Sequence, residues 1–191
     1  MSIKLLPFAW LFALPLVTLA AEPASVEFRE ETYNLASVNV DKMGKHPQIL
    51  NEYVPEEEDL EEWSSLIGVR QYLGRTDFQE LGDALVKVLK QQNPDFPSAT
   101  HISEDGKRKM VDFIMWDLEK EIVEFNVFIY ELSKDGKSVI AYQYAQREYG
   151  EEEGMEFLKD LKKLRPKLLE SVSKFKFPKI TENQPEEAAA E

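Results

Sequence analysis

The sequence predicts an α+β fold in which two long helices pack on one face of an antiparallel β-sheet of about five to six strands. Three patterns indicate this fold: apolar residues at helical spacing in residues 75–94 and 151–174, strand-like runs between them in residues 109–149, and an Asp-Gly turn that joins two of those runs. Antiparallel sheets commonly bury one face beneath helices. The two helices are therefore expected to share that face.

The chain before the first helix is predicted to supply three strands. Residues 25–40 have mixed patterning and predict one short strand, and residues 48–54 predict a second strand that ends at Pro55. Residues 63–73 predict a third strand, because Ile67 and Val69 would face one side of a sheet and Leu66 the other.

The first helix is predicted over residues 75–94. Thr76 and Gln79 form a T-x-x-Q capping box, in which each side chain satisfies a free backbone N–H at the helix start. Pro94 and Pro97 end the helix. Its apolar stripe has three- and four-residue spacing and consists of Phe78, Leu81, Leu85, Val88 and Leu89.

Residues 109–149 predict a three-stranded antiparallel meander. Asp135-Gly136 lies between its second and third strands and supplies the positive φ angles of a tight hairpin turn. The middle strand alternates in the manner of a sheet, and its apolar positions are Val123, Phe125, Val127 and Ile129.

The second helix is predicted over residues 151–174. Its first turn is rich in glutamate, which opposes the positive end of the helix dipole, and Pro166 is expected to kink or break it at a cost of about 3 kcal/mol. The strands before the two helices, SLIGVRQYLG and SVIAYQYAQREYG, look alike, so a faint internal duplication is an alternative to a common β-to-α transition. The expected buried stripe is Met155, Leu158, Leu161, Leu168 and Val172.

Residues 1–21 are predicted to be a secretory signal peptide. Lys4 precedes an uncharged apolar run that small residues close. A retained membrane anchor is the alternative, but the run is slightly short for a span and prolines interrupt it. We expect cleavage with no stable membrane anchor afterwards, a single α+β domain over residues 22–177, and a disordered acidic tail over residues 178–191.

Charge and cysteine content exclude several classes of function. The chain has 36 acidic and 23 basic residues and a net charge of −13, so it repels phosphates, and no nucleic-acid partner is expected. The absence of cysteine excludes disulfides, thiolate catalysis and cysteine-bound metals. Together with the signal peptide, these features predict a periplasmic or secreted protein.

The stretch YVPEEEDLEEW, residues 53–63, is the most acidic part of the chain. A calcium loop needs ligand oxygens at regular spacing and a glycine that turns the chain. Here the carboxylates are nearly contiguous and glycine is missing. We interpret the stretch as a solvated turn with Leu60 and Trp63 buried; a weak cation site and a contact for a basic partner are the alternatives.

The same region carries a resemblance to a known group of proteins. A strand that ends Glu52-Tyr53-Val54-Pro55, then an acidic turn and Trp63, is similar to small uncharacterised exported proteins of proteobacteria, and residues 141–145, AYQYA, also resemble that group. The resemblance implies a periplasmic setting. It implies no activity and no catalytic residues.

Few residues suggest catalysis. Motifs for an activated serine or a phosphate-binding loop are missing. A zinc site made from His46, His101 and Glu104 would require the fold to bring them together, so no metal or other cofactor is predicted. Asp112 and Glu124 are the carboxylates to consider for glycoside cleavage, and their plainer interpretation is as polar residues on the solvent face of the sheet.

The densest aromatic set lies on the predicted sheet. If the helices cover one face, part of this set lies on the other face and would form a binding surface; core packing is the plainer alternative. We therefore predict a non-enzymatic binding or interaction domain whose partner is an envelope protein or a small apolar ligand. A hydrolase with paired carboxylates and a weak divalent-cation-binding envelope protein are the alternatives. The candidate binding residues are Trp116, Phe128, Tyr130, Tyr142 and Tyr144.

Overall fold

The computed structural model describes residues 25–95 and 97–184. The predicted signal peptide and residues 185–191 of the predicted tail lie outside this part of the chain. Neither described helix is long and apolar enough to cross a membrane. The elements are β1 (Ser25–Phe28), β2 (Glu31–Asp41), β3 (Gln48–Pro55), β4 (Ser65–Leu73), α1 (Phe78–Gln92), β5 (Ser98–Ile102), β6 (Arg108–Asp117), β7 (Ile122–Leu132), β8 (Ser138–Tyr149) and α2 (Glu151–Lys174).

All eight described strands form one antiparallel sheet in the order β1-β2-β3-β4-β8-β7-β6-β5. The prediction of five to six strands is therefore wrong. Residues 25–40 form most of a hairpin instead of one strand, and β5 adds an edge strand beside β6. The β1–β2 turn consists of Arg29 and Glu30, at φ angles of 53° and 69°. Neither residue marks a tight turn as Asn or Gly does, so the sequence did not predict the hairpin.

The two helices pack on opposite faces of the sheet, so the prediction that they share one face is also wrong. Successive residues of a strand point to opposite faces, and β7 contacts both helices. Phe125 and Val127 lie in one core cluster with Leu161 of α2, whereas Tyr130 lies in another cluster with Leu89 of α1. We call these surfaces the α2 face and the α1 face.

The composition of β7 explains why both faces are covered. Its residues 125–130 read FNVFIY, and all but Phe128 are at most 3% exposed. A nearly continuous apolar run is typical of a strand with both faces buried, whereas an alternating run is typical of a strand with one face in water. The sheet is therefore the middle of three layers.

The first helix begins at a different cap from the predicted one. Asp77, not Thr76, is the N-cap residue, and its carboxylate accepts a hydrogen bond of 2.9 Å from the backbone N–H of Glu80. Lys109 of β6 holds the helix on the α1 face. This lysine is 4% exposed, and its ammonium donates to the carbonyl of Gln79 at 3.1 Å and pairs with a carboxylate of the same helix.

The second helix is continuous across Pro166, where the sequence predicts a kink or break. A proline inside a helix removes one intrahelical hydrogen bond. Tertiary contacts beside it offset this loss, since packing supplies most helix stability in proteins. Arg165 binds Asp112 of β6 through two hydrogen bonds of 2.7 and 2.8 Å, and Leu168 is buried in the core.

Residues 175–184 cross the α2 face after the helix ends. Phe177 stacks on Tyr142 with 4.8 Å between ring centroids. Buried Asn51 exchanges two hydrogen bonds, of 2.7 and 2.8 Å, with the backbone of Thr181. The first residues of the predicted disordered tail thus lie against β2 and β3.

The order of elements repeats as four strands followed by a helix. The two strands with similar sequences, β4 and β8, pair antiparallel at the centre of the sheet. A two-fold rotation between such strands would place both following helices on the same face, but they lie on opposite faces. The repeat extends to the strand order and not to the placement of the helices.

Candidate functional site

The five predicted aromatic residues do not form one surface. Tyr142 and Tyr144 lie on the α2 face, where Tyr144 is 3% exposed and the C-terminal segment covers Tyr142. Phe128 and Tyr130 lie on the opposite face, stacked at 6.0 Å and packed near α1. Trp116, near the end of β6, is 45% exposed and lines a cavity on the α2 face.

This cavity of about 450 Å³ lies where the β6–β7 hairpin meets the first turns of α2, and we call it the α2 groove. Three of its side chains are strongly exposed: Trp116 at 45%, Leu118 at 83% and Met155 at 52%. Exposed apolar side chains around one concavity are typical of a binding site. The apolar lining consists of Trp116, Leu118, Ile122, Val123, Met155 and Leu158.

Backbone contacts hold the two walls of the α2 groove together. The N–H of Gly150 donates to the carbonyl of Glu121 at 2.8 Å, which ties the start of α2 to the hairpin turn. A Cβ atom on Gly154 would lie 2.7 Å from Cγ2 of Val123, so only glycine allows this close approach of helix and strand. The carboxylate of Asp117 accepts two backbone N–H groups of the turn, at 3.0 and 3.2 Å. The groove is preformed.

Three acidic residues are among those that line the α2 groove, and we call them its rim. They are Asp117, Glu121 and Glu151, and the lining contains no lysine or arginine. Among the salt bridges of the described residues, none involves these three side chains. The groove therefore combines an apolar lining with a negatively charged rim.

The α1 face carries a chain of hydrogen-bonded polar groups. Arg147 binds Glu124 at N–O distances of 2.8 and 3.1 Å and lies 3.7 Å from the ring centroid of Trp63. Asn126 donates to Glu124 at 2.7 Å and accepts from Gln143 at 2.9 Å. These groups satisfy one another, as buried polar groups must, so we interpret the chain as structural.

The acidic stretch is a turn that its own carboxylates stabilise. Glu58 accepts the N–H and the hydroxyl of Ser64, both at 2.7 Å. Two backbone N–H groups donate to Asp59 and hold the pKa of its carboxyl below the usual value. Trp63 is buried, whereas Leu60 is 36% exposed. Across residues 25–95 and 97–184, no group of three or more histidine or acidic side chains is placed to hold a metal ion.

The two carboxylates considered for hydrolysis lie on opposite faces of the sheet. Asp112 is 3% exposed and points to the α2 face, where Arg165 binds it. Glu124 points to the α1 face and is bound by Arg147. Since glycoside cleavage needs two carboxylates on either side of one bond, this pair cannot perform it.

The two histidines are also far apart. His46 lies just before β3, and His101 lies in β5 at the sheet edge, five strand spacings away. At about 4.8 Å per spacing this separates them by roughly 24 Å, too far to bind one ion. His101 instead lies 3.7 Å from the carboxylate of Asp112.

Burial shifts the pKa of two further groups outside the groove. It raises the pKa of the Glu52 carboxyl on the α1 face, and the nearby Arg70 guanidinium partly opposes the shift. Burial, reinforced by the charge of Glu131, also raises the pKa of the Tyr142 hydroxyl. Both groups are part of the folded framework rather than of the α2 groove.

Sequence reasoning identified Trp116 but missed two other exposed groove residues. Met155 fits the apolar stripe of α2, and the helical spacing therefore predicts it to be buried. Met155 instead lines the cavity beside the β6–β7 hairpin and remains exposed. Leu118 lies in a turn that has no periodicity. As the single apolar residue among charged residues 117–121, it could have been noticed.

Comparison with known proteins places the chain in a family. A sequence model of an uncharacterised protein family matches residues 20–177, which include all eight described strands and both walls of the α2 groove. The curated proteins compared with the chain contain no match. Since the family match extends over more than half of the chain, the protein belongs to this uncharacterised family.

Proposed function

We propose that the protein is an exported, non-enzymatic binding domain that holds an apolar group of its partner in the α2 groove. The observation that carries this proposal is the exposure of Trp116, Leu118 and Met155 around one preformed cavity. Leaving large apolar side chains in water forgoes about 25 cal/mol for each Å² that could be buried. A contiguous group of them on a monomer is typical of an interaction site.

The size and composition of the groove suit an apolar group. Its volume of about 450 Å³ falls within the range of ligand pockets, about 300–1,000 Å³. Met155 adds a flexible, polarisable side chain that adapts to ligands of different shape. Trp116 supplies a broad aromatic wall, and aromatic residues are enriched in the centres of interfaces.

Two further considerations support a binding role in the cell envelope. The basic, apolar and small-residue order of residues 1–21 supports export. Asp112 and Glu124 each bind an arginine on opposite faces, which argues against the alternative of a hydrolase built on these carboxylates.

The test measures binding of a neutral, apolar fluorescent naphthylamine probe to the processed protein purified from the expressing host. We expect saturable binding to the parent protein. Leu118→Ser and Met155→Ser should each weaken it about tenfold, because one buried apolar side chain is worth about 1.5–3 kcal/mol. Val88→Ser is the matched control, since Val88 is 50% exposed and lies on α1, away from the groove.

Two results would contradict the proposal. The first is the absence of saturable binding to the parent protein. The second is an equal loss of affinity in Val88→Ser and in the groove variants, which would mean that the probe reports general surface hydrophobicity.

A further inference from the structure

The charge around the α2 groove identifies the kind of partner that fits it. Asp117, Glu121 and Glu151 line an otherwise apolar cavity without a basic side chain among them. Complementary potentials at an interface favour the correct partner and penalise one of like charge. An occupant of this groove must therefore bring apolar groups to the apolar lining and positive charge to the rim.

The acidic surface extends beyond the rim because the fold gathers three acidic segments at one end of the sheet. These are residues 56–62 after β3, residues 117–121 between β6 and β7, and residues 148–153 at the start of α2. Backbone hydrogen bonds from Arg147 to Ser64 and from Gly150 to Glu121, both 2.8 Å, join these segments. The combined field attracts cations before contact and repels anionic lipid and nucleic acid.

Local roles account for only part of this charge. Glutamates in the first turn of α2 oppose the helix dipole. Glu58, Asp59 and Asp117 accept backbone hydrogen bonds within their own turns. Glu121 precedes β7 and lies outside α2, so the stability of α2 does not require it. Nor does the stability of α2 require an apolar cavity between Glu121 and Glu151. The combination of an apolar lining with acidic residues in one cavity is therefore the feature that indicates a ligand.

Resting on the proposed function, we infer that the occupant of the α2 groove is a cationic amphipathic segment of a partner protein. One or two bulky apolar side chains of that segment enter the groove, and its flanking lysine or arginine side chains lie against Asp117, Glu121 and Glu151. Amphipathic segments bind apolar grooves through a few such anchors. Ion pairs at the rim add orientation and a faster association rate.

The experiment compares three labelled peptides that share the same apolar residues and differ only in their flanking residues, which are lysine, glutamine or glutamate. Dissociation constants for the processed protein are measured by fluorescence anisotropy at low and at high salt. We expect the lysine peptide to bind at least about tenfold more tightly than the glutamine peptide, and the glutamate peptide to bind most weakly. The difference should shrink in salt, because ions screen exposed charges.

A charge-neutralising variant assigns the preference to the rim. The triple variant Asp117→Asn, Glu121→Gln, Glu151→Gln should lose the preference for the lysine peptide and keep its affinity for the glutamine peptide. A control with the same change in net charge neutralises exposed carboxylates elsewhere, through Glu80→Gln, Glu104→Gln and Glu170→Gln. The control should bind the peptides as the parent protein does.

The outcomes separate this inference from the proposed function. If the lysine and glutamine peptides bind equally while Met155→Ser weakens both, the inference fails and the groove still binds apolar groups. If only the neutral naphthylamine probe binds, the occupant is a small apolar ligand and the inference fails. If the control triple loses the preference as fully as the rim triple, net charge rather than the groove selects the peptide, and the inference fails. If neither probe nor peptides bind, the proposed function fails as well.

Discussion

Replacing Arg165 by leucine tests the ion pair that connects the two elements forming the walls of the α2 groove. Arg165 of α2 binds Asp112 of β6 through hydrogen bonds of 2.7 and 2.8 Å, and the side chain of Asp112 is 4% exposed. Removing one member of a buried ion pair costs about 3–5 kcal/mol, because it leaves the other charge buried without that partner. For Asp112, the imidazole of His101 would remain 3.7 Å away. The side chain of Arg165 is 35% exposed, so water screens part of the effect. We expect a loss near the lower end, about 3 kcal/mol.

Urea denaturation followed by tryptophan fluorescence and circular dichroism measures this loss. A decrease of about 3 kcal/mol in the free energy of unfolding corresponds to a fall of roughly 6–12 °C in Tm for a domain of this size. Lys163→Ala is the control on the same helix. Lys163 lies 3.8 Å from Asp160 with 79% of its side chain exposed, so its loss should cost at most about 0.5 kcal/mol.

The double variant Asp112→Leu, Arg165→Leu distinguishes a buried charge from lost packing. It removes both charges and should recover most of the stability, since an apolar replacement of a buried ion pair is often neutral or stabilising. The reasoning is refuted if Arg165→Leu costs no more than Lys163→Ala. It is also refuted if the double variant is less stable than Arg165→Leu alone.

Three other substitutions test individual features of the fold. Burial raises the pKa of Glu52 in the folded state, so its contribution to stability is full below the ordinary glutamate pKa of about 4.3 and is lost as the pH rises through the folded value. Glu52→Gln should therefore be more stable than the parent protein at neutral pH and equal to it in acid; urea titrations with the opposite trend would exclude the shift. Gly154→Ala should destabilise the protein by about 1–3 kcal/mol through its contact with Val123, although alanine favours helices; a higher Tm would show that space exists. Asp77→Ala should cost about 1 kcal/mol and Thr76→Ala much less; the reverse order in thermal melts would support the predicted capping box.

Features that depend on neighbouring residues could be predicted from the sequence. The Asp135-Gly136 turn joins β7 and β8 as predicted, and β3 occupies the predicted strand at residues 48–54. A second turn has the same S-x-D-G-K sequence at residues 103–107, and in both turns the serine hydroxyl donates to the aspartate at 2.6 Å. This repeat could have predicted β5 and its hairpin with β6.

Features that depend on distant residues could not be predicted in this way. The strand patterns indicated which side chains of β7 share a side, but not that α1 covers one side and α2 the other. The helical spacing of α2 predicts that Met155 is buried. Whether its side chain is buried depends on which part of the sheet lies beside that turn of the helix. The five aromatic candidates are predicted to form a binding surface on the face that the helices leave free, but the pleat of the sheet divides them between its two faces.

The sequence by itself determined the α+β class, the antiparallel meander of β6, β7 and β8, the two helices and the exclusion of cysteine chemistry, because composition and short-range periodicity carry that information. Only the tertiary structure decided that the sheet has eight strands with a helix on each face, and that Trp116, Leu118 and Met155 surround one acidic-rimmed groove. The physical reason is that the periodicity of apolar residues shows only which side of a single helix or strand is apolar. Which element covers each side depends on packing between residues far apart in the chain.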